Sequence, residues 1–135
     1  MAYKVETIEG IGPAYGAKLT SAKIKTPNDL LKLCCTARGR SDVATKTGFS
    51  ESQLLKWANM ADMMRIKGIG GEFAELLEAA GVDTVKELKM RNAENLAEQL
   101  KTTNAQKKLT RRVPSATVVA RWVAEAKQTT PTITH

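Results

Sequence analysis

Two short runs of the 135-residue chain, Gly10-Ile11-Gly12 and Gly68-Ile69-Gly70, have residue types that could hold an anion. A Gly-x-Gly turn ahead of a helix lets the backbone take positive φ values, and the missing Cβ lets a ligand come close. The N–H groups of such a turn, and of the first helical turn after it, have no intrahelical partner. Together with the helix dipole they form a site suited to a phosphate oxygen. The candidate phosphate-binding residues are therefore Gly10, Ile11, Gly12, Ala14, Lys18, Gly68, Ile69 and Gly70, with both isoleucines turned inward to pin the turns on the core. Contacts of this kind read backbone and not bases, so the binding expected is largely independent of sequence.

Charge supports a polyanionic partner. The net charge is +7, and its distribution is uneven. Met1 to Asp62 carries nine basic and six acidic residues, and Met63 to Leu100 carries five and seven. Lys101 to Lys127 then carries seven basic residues against Glu125 alone. Lys101, Lys107, Lys108, Arg111 and Arg112 are the auxiliary basic candidates for contact with nucleic acid. The two glycine turns are unequal. Pro13, Ala14 and Lys18 leave the first neutral to positive, whereas Glu72, Glu75 and Glu78 follow the second, where a carboxylate would occupy or repel the place of a phosphate. The first turn is expected to be the better binder and the second to be structural.

Other chemistries find little footing. The single histidine is His135, and no Ser/His/Asp, Cys/His or paired-carboxylate arrangement can be placed, so no catalytic residue, metal site or cofactor is assigned. Cys34 and Cys35 are adjacent, unlike a disulfide framework or a Cys-x-x-Cys site, and are expected to be reduced thiols, buried or half-buried. No apolar run reaches the length of a membrane span and the N-terminus lacks the pattern of a signal peptide, which points to a cytoplasmic protein with no membrane partner. With 42% hydrophobic and only 4% aromatic residues, the core is expected to be aliphatic and the fold helical.

An internal repeat organises the elements that must hold the glycine turns. Ile8–Leu33 aligns without gaps to Ile66–Arg91 at an offset of 58 residues, with identities at glycine, core leucine and threonine cap positions. The match resumes after seven extra residues in the second copy, pairing Ser50 with Ser115 and Trp57 with Trp122. The extra residues are assigned to the segment KTTNAQKKLTRRV, read as a loop. Tyr15, Leu19, Ala22 and their counterparts Phe73, Leu76, Leu77, Ala80 have helical spacing and form one buried face. Thr26, Thr84 and Ser50 open capping boxes, and Pro27 stands at a first helical position. Asn92 and the Pro114-Ser115 pair begin further helices, Trp57 and Trp122 are core anchors, and Met60, Met63 and Met64 are core or an adaptable interface. The domain reading is one compact molecule of two repeat units, 1–65 and 66–127, followed by a frayed tail, 128–135.

IEGIGPAYGAKL and IKGIGGEFAELL fit the pattern of the helix-hairpin-helix family, over about 25 residues in each copy. The whole chain resembles an uncharacterised bacterial domain-of-unknown-function family, of the 4332 type, built from such repeats. The resemblance implies an all-α fold of two tandem helix-hairpin-helix repeats packed about a pseudo-two-fold axis, of the SAM-like type. For most characterised relatives it implies non-specific binding to double-stranded DNA along minor-groove phosphates. The reading is a non-enzymatic nucleic-acid-binding protein, with a protein-protein interaction or scaffold module as the alternative. Some relatives of this fold are parts of nucleases and ligases, where the hairpins hold DNA for a separate catalytic domain, and no such domain is expected within these 135 residues.

Overall fold

A computed structural model describes residues 3–130 and 132–134. Among the described residues there are eight α-helices and one short 3-10 turn, and no strand. The chain divides into two compact units, Met1–Asp62 with Thr132–His135, and Met63–Pro131.

The first unit begins with the 3-10 turn Val5–Thr7. After the first glycine turn come α1 (Pro13–Ser21), α2 (Pro27–Cys34), α3 (Ala37–Thr47) and α4 (Glu51–Met63), the last of which reaches the unit boundary. Val5, Ile8, Leu19, Ile24, Leu30 and Leu54 are fully buried. The predicted box at Thr26 is complete: its hydroxyl accepts from the Asp29 N–H at 3.1 Å, and the Asp29 carboxylate accepts from the Thr26 N–H at 3.2 Å. Helix α3 has no counterpart in the sequence expectations, because Arg38, Ser41, Asp42, Thr45 and Lys46 are exposed and only Val43 and Arg40 are buried. One buried valine does not make an apolar stripe.

The second unit holds the second glycine turn, then α5 (Gly71–Ala79), α6 (Val85–Lys89), α7 (Ala93–Lys107) and α8 (Ala116–Gln128). Its core is Ile66, Ile69, Leu76, Leu77, Val82, Leu88, Leu96, Leu100, Val119 and Trp122. Helix α7 is longer than its sequence start suggested. It absorbs Lys101 through Lys107 from the segment read as a loop, so that Lys101 stands on a helix and only the residues from Lys108 onward connect to α8. At Thr84 half of the predicted box forms, with the threonine accepting from the Glu87 N–H, while the Glu87 carboxylate turns to Arg91 at 3.0 Å.

Lys23 and Gly81, which end the helices after the two glycine turns, both take left-handed backbone, at φ 69° and 94°. Trp57, Trp122, Met60, Met63 and Met64 are all buried. Thr134, in the segment expected to fray, donates its N–H to Cys35 O at 2.8 Å within the first unit.

Candidate nucleic-acid interface

The two glycine turns are built alike within their units. Gly10 and Gly68 have φ of 92° and 93°, the left-handed region that an L residue enters only with strain. A Cβ on Gly10 would stand 3.5 Å from Trp57 Nε1, and one on Gly68 would stand 3.1 Å from Trp122 Nε1. Each tryptophan therefore backs the first glycine of its own turn. Ile11 and Ile69 point inward, 3% and 1% exposed. Their N–H groups close the turns on Ile8 O at 3.1 Å and Ile66 O at 3.0 Å, so neither amide is left to donate to a phosphate. The isoleucines are anchors of the site and not ligands.

Beyond the turn the geometry opens. Gly12 and Gly70 are the N-cap residues of α1 and α5, with extended φ,ψ that any residue adopts and nothing within 4 Å of a Cβ placed on either. The other six α-helices each have a side-chain oxygen over their first amides, from Thr26, Thr36, Ser50, Thr84, Asn92 and Ser115. Among the described residues α1 and α5 alone lack such a cap. The first intrahelical bonds are those of the Gly16 N–H to Gly12 O and the Ala74 N–H to Gly70 O. The amides of Ala14 and Tyr15 in α1, and of Gly71, Glu72 and Phe73 in α5, precede these and have no intrahelical acceptor.

The surroundings of the two turns differ. In the first unit Tyr15, placed by its spacing on a buried face, is instead 41% exposed, with its ring against Phe49 at 5.1 Å and Trp57 at 5.9 Å. Lys18 places its Nζ 5.7 Å over the Phe49 ring, which holds the ammonium beside the aromatic cluster while leaving it exposed. In the second unit Phe73 packs on Trp122 at 5.3 Å. There the Lys67 N–H, immediately before Gly68, donates to the Glu125 carboxylate at 2.8 Å. The repeat places Met60, a side chain with no oxygen, where the second unit has Glu125. The second turn thus carries an acid of its own, in addition to Glu72 in the first turn of α5.

Lys101, Lys107, Lys108, Arg111 and Arg112 are exposed and lie in the second unit on α7 and the connection after it. Sequence reasoning missed Glu125 as a partner of the second turn, and beside the first turn it missed the buried Phe49, against which the exposed Tyr15 packs. Glu125 is the sole acid after Glu98 in the chain, which was a signal, but its contact spans 58 residues and has no local signature. A shallow hollow of about 520 Å³ near the start of α7 touches none of the predicted residues, and Arg91 at its edge is held by Glu87 and Gln99. Burial pushes the Cys34 thiol up to about 11, against a smaller opposing pull from Arg40, so this cysteine is held as the unreactive thiol at neutral pH. Among the described residues no helix is long and apolar enough to cross a membrane.

A model of one protein family, described as a domain of unknown function (DUF4332), matches residues 9–129. No curated protein and no solved structure matches the chain.

Proposed function

The chain belongs to the DUF4332 family of unknown function, and from its turn geometry we propose that it is a non-enzymatic protein of two tandem helix-hairpin-helix repeats that grips the phosphate backbone of nucleic acid, double-stranded DNA first, at the Gly10–Gly12 turn. The observation that carries this reading is the missing cap. Six of eight α-helices satisfy their first amides internally, while α1 leaves them facing the open space in front of Gly12. An oxyanion placed there would accept from the amides of Ala14 and Tyr15 and gain from the helix dipole, with Lys18 one turn along. Backbone amides select phosphate and not base, so the binding should be non-specific.

The second turn supports a different use. Glu125 holds the Lys67 N–H just before Gly68 and Glu72 stands in the first turn of α5, so two acids flank this turn, which favours a scaffold or protein-contact role for that part of the chain. Fluorescence anisotropy with a random-sequence duplex across a salt series separates the two readings. Counterion release predicts that log affinity falls with log salt at a slope of about 0.9 per phosphate contacted, so two to four contacts give a slope of roughly 2 to 4. Absence of binding at low salt sinks the nucleic-acid reading and leaves the scaffold.

A further inference from the structure

We propose that the connection between α7 and α8, Lys107–Val113, is a second and separately built surface for the phosphate backbone, held in shape by Asn104. It rests on nucleic acid being the partner, and goes beyond that reading by giving the second unit its own contact and by naming a positioning residue.

The loop is locked. Lys108 takes a left-handed conformation, φ 52° and ψ 48°, and its N–H donates to Asn104 O at 2.8 Å. The Asn104 side chain then closes a ring on one residue, its Nδ2 donating to Thr110 O at 3.0 Å while its Oδ1 accepts from the Thr110 N–H at 2.9 Å. Thr110 Oγ1 donates onward to Arg112 O at 2.6 Å, and the buried Pro114 leads into the Ser115 cap of α8. Glycine is the residue that enters the left-handed region without strain, yet a lysine occupies it here.

What the lock displays is charge. Leu109 and Thr110 are half-buried, and on either side of them stand two exposed pairs, Lys107 with Lys108 and Arg111 with Arg112. No acid lies between Glu98 and Glu125 to neutralise them. A protein partner of ordinary composition needs an apolar centre to its interface, and this loop offers only the half-buried Leu109 and the partly exposed Val113. A dense, polar and strongly positive surface is what nucleic-acid interfaces have. A loop already folded lets the four cations engage phosphates without first ordering the backbone that carries them. In the same unit the glycine turn is flanked by Glu125 on the Lys67 N–H and by Glu72, while the four cations stand on a separate segment of the chain.

Asn104 acts through the loop and touches no ligand, so its test must leave charge alone. The full chain is titrated with a labelled random-sequence duplex across a salt series, as wild type, Lys108→Gln/Arg111→Gln, Asn104→Ala and Gly12→Val. The double variant should lower the salt slope by about 1.8, two contacts at about 0.9 each, and weaken low-salt binding at least about tenfold. Asn104→Ala keeps every cation, and should weaken binding several-fold while circular dichroism and the melting temperature stay near wild type. Wild-type slope and affinity in the double variant overturn the surface, and wild-type affinity in Asn104→Ala overturns the positioning role. Loss of slope in the double variant with full binding by Gly12→Val keeps the loop and removes the first turn from the function. The converse keeps the turn and removes the loop. Poly-glutamate that displaces the duplex at equal charge concentration overturns the nucleic-acid identity in favour of an acidic protein, and a chain that binds no duplex at low salt overturns both readings.

Discussion

At position 12 an aspartate would hold α1 better than the glycine that is there. Gly12 has extended backbone and open space in front of it, so Gly12→Asp introduces no strain, and its carboxylate would accept from the first amides of α1. Asp exceeds Gly as an N-cap by a few tenths of a kcal/mol, about enough to raise the melting temperature slightly. The same carboxylate would fill and repel the proposed phosphate position. Stability and binding are therefore expected to move in opposite directions at residue 12, read by thermal melting and by anisotropy with duplex. At Gly70, with Glu125 bound to the Lys67 N–H and Glu72 in the first turn of α5, a further acid should bring a smaller stability gain and binding should not change. A Gly12→Asp variant that binds as wild type would leave the missing cap without a functional meaning. Cys34 makes a prediction of the other kind, through pH. Its thiol is raised from 9.0 to about 11 in the folded chain by burial. An unfolded chain releases that proton near its ordinary value while the folded chain keeps it. The stability this thiol contributes is therefore complete below about pH 9 and is lost as pH rises toward 11, by at most about 1.4 kcal/mol per pH unit. Denaturant melts of wild type and Cys34→Ser at pH 8 and pH 10.5 isolate it: the gap between the two proteins should narrow at the higher pH.

At the scale of elements, each glycine turn is a three-part device of left-handed glycine, inward isoleucine and supporting tryptophan. Replacing the first glycine by alanine brings strain of about 1–2 kcal/mol from the left-handed backbone alone. The second turn should suffer more, because the new methyl meets Trp122 Nε1 at 3.1 Å where the first meets Trp57 at 3.5 Å. Gly68→Ala is thus expected to destabilise more than Gly10→Ala in urea melts, and the reverse order would mean that the tryptophans do not support the turns. Much of this was legible in the sequence, since the glycines, the Thr26 box and the tryptophan helices depend on neighbours three or four residues away or on the repeat itself. Local periodicity was silent where tertiary contacts decide. Helix α3 hides because it buries an arginine and one valine. Tyr15 has helical spacing but lies at the rim of an aromatic cluster, so its face was misassigned. The Asn104 ring and the Glu125 bond join residues whose pairing no short pattern encodes.

For the molecule as a whole, the first unit is completed by residues from the far end of the chain. Arg40 is 4% exposed, and its guanidinium donates from Nη1 to Cys34 O at 2.9 Å and from Nη2 to Thr134 O at 2.7 Å. The Thr134 N–H answers with a bond to Cys35 O at 2.8 Å. A buried guanidinium must have acceptors, and one of those it has here comes from position 134, so Thr134 belongs energetically to α2 and α3. Arg40→Met keeps the apolar stem but strips two carbonyls of a charged donor, each such bond being worth about 1.5–3 kcal/mol. Thr134→Pro removes both neutral donors that Thr134 gives to Cys35 O, its N–H at 2.8 Å and its hydroxyl at 3.3 Å, and should cost about 1 kcal/mol. Native-state hydrogen exchange locates the effect. In Thr134→Pro, amides of residues 34–40 should exchange faster by about fivefold, the equivalent of 1 kcal/mol. The amides in the middle of α5 and α7, which share no hydrogen bond with Arg40 or Thr134, should keep their wild-type rates. Equal acceleration in both units would show that the chain opens only as one cooperative block, and unchanged exchange at 34–40 would show that the donors of Thr134 do not hold this end of the first unit.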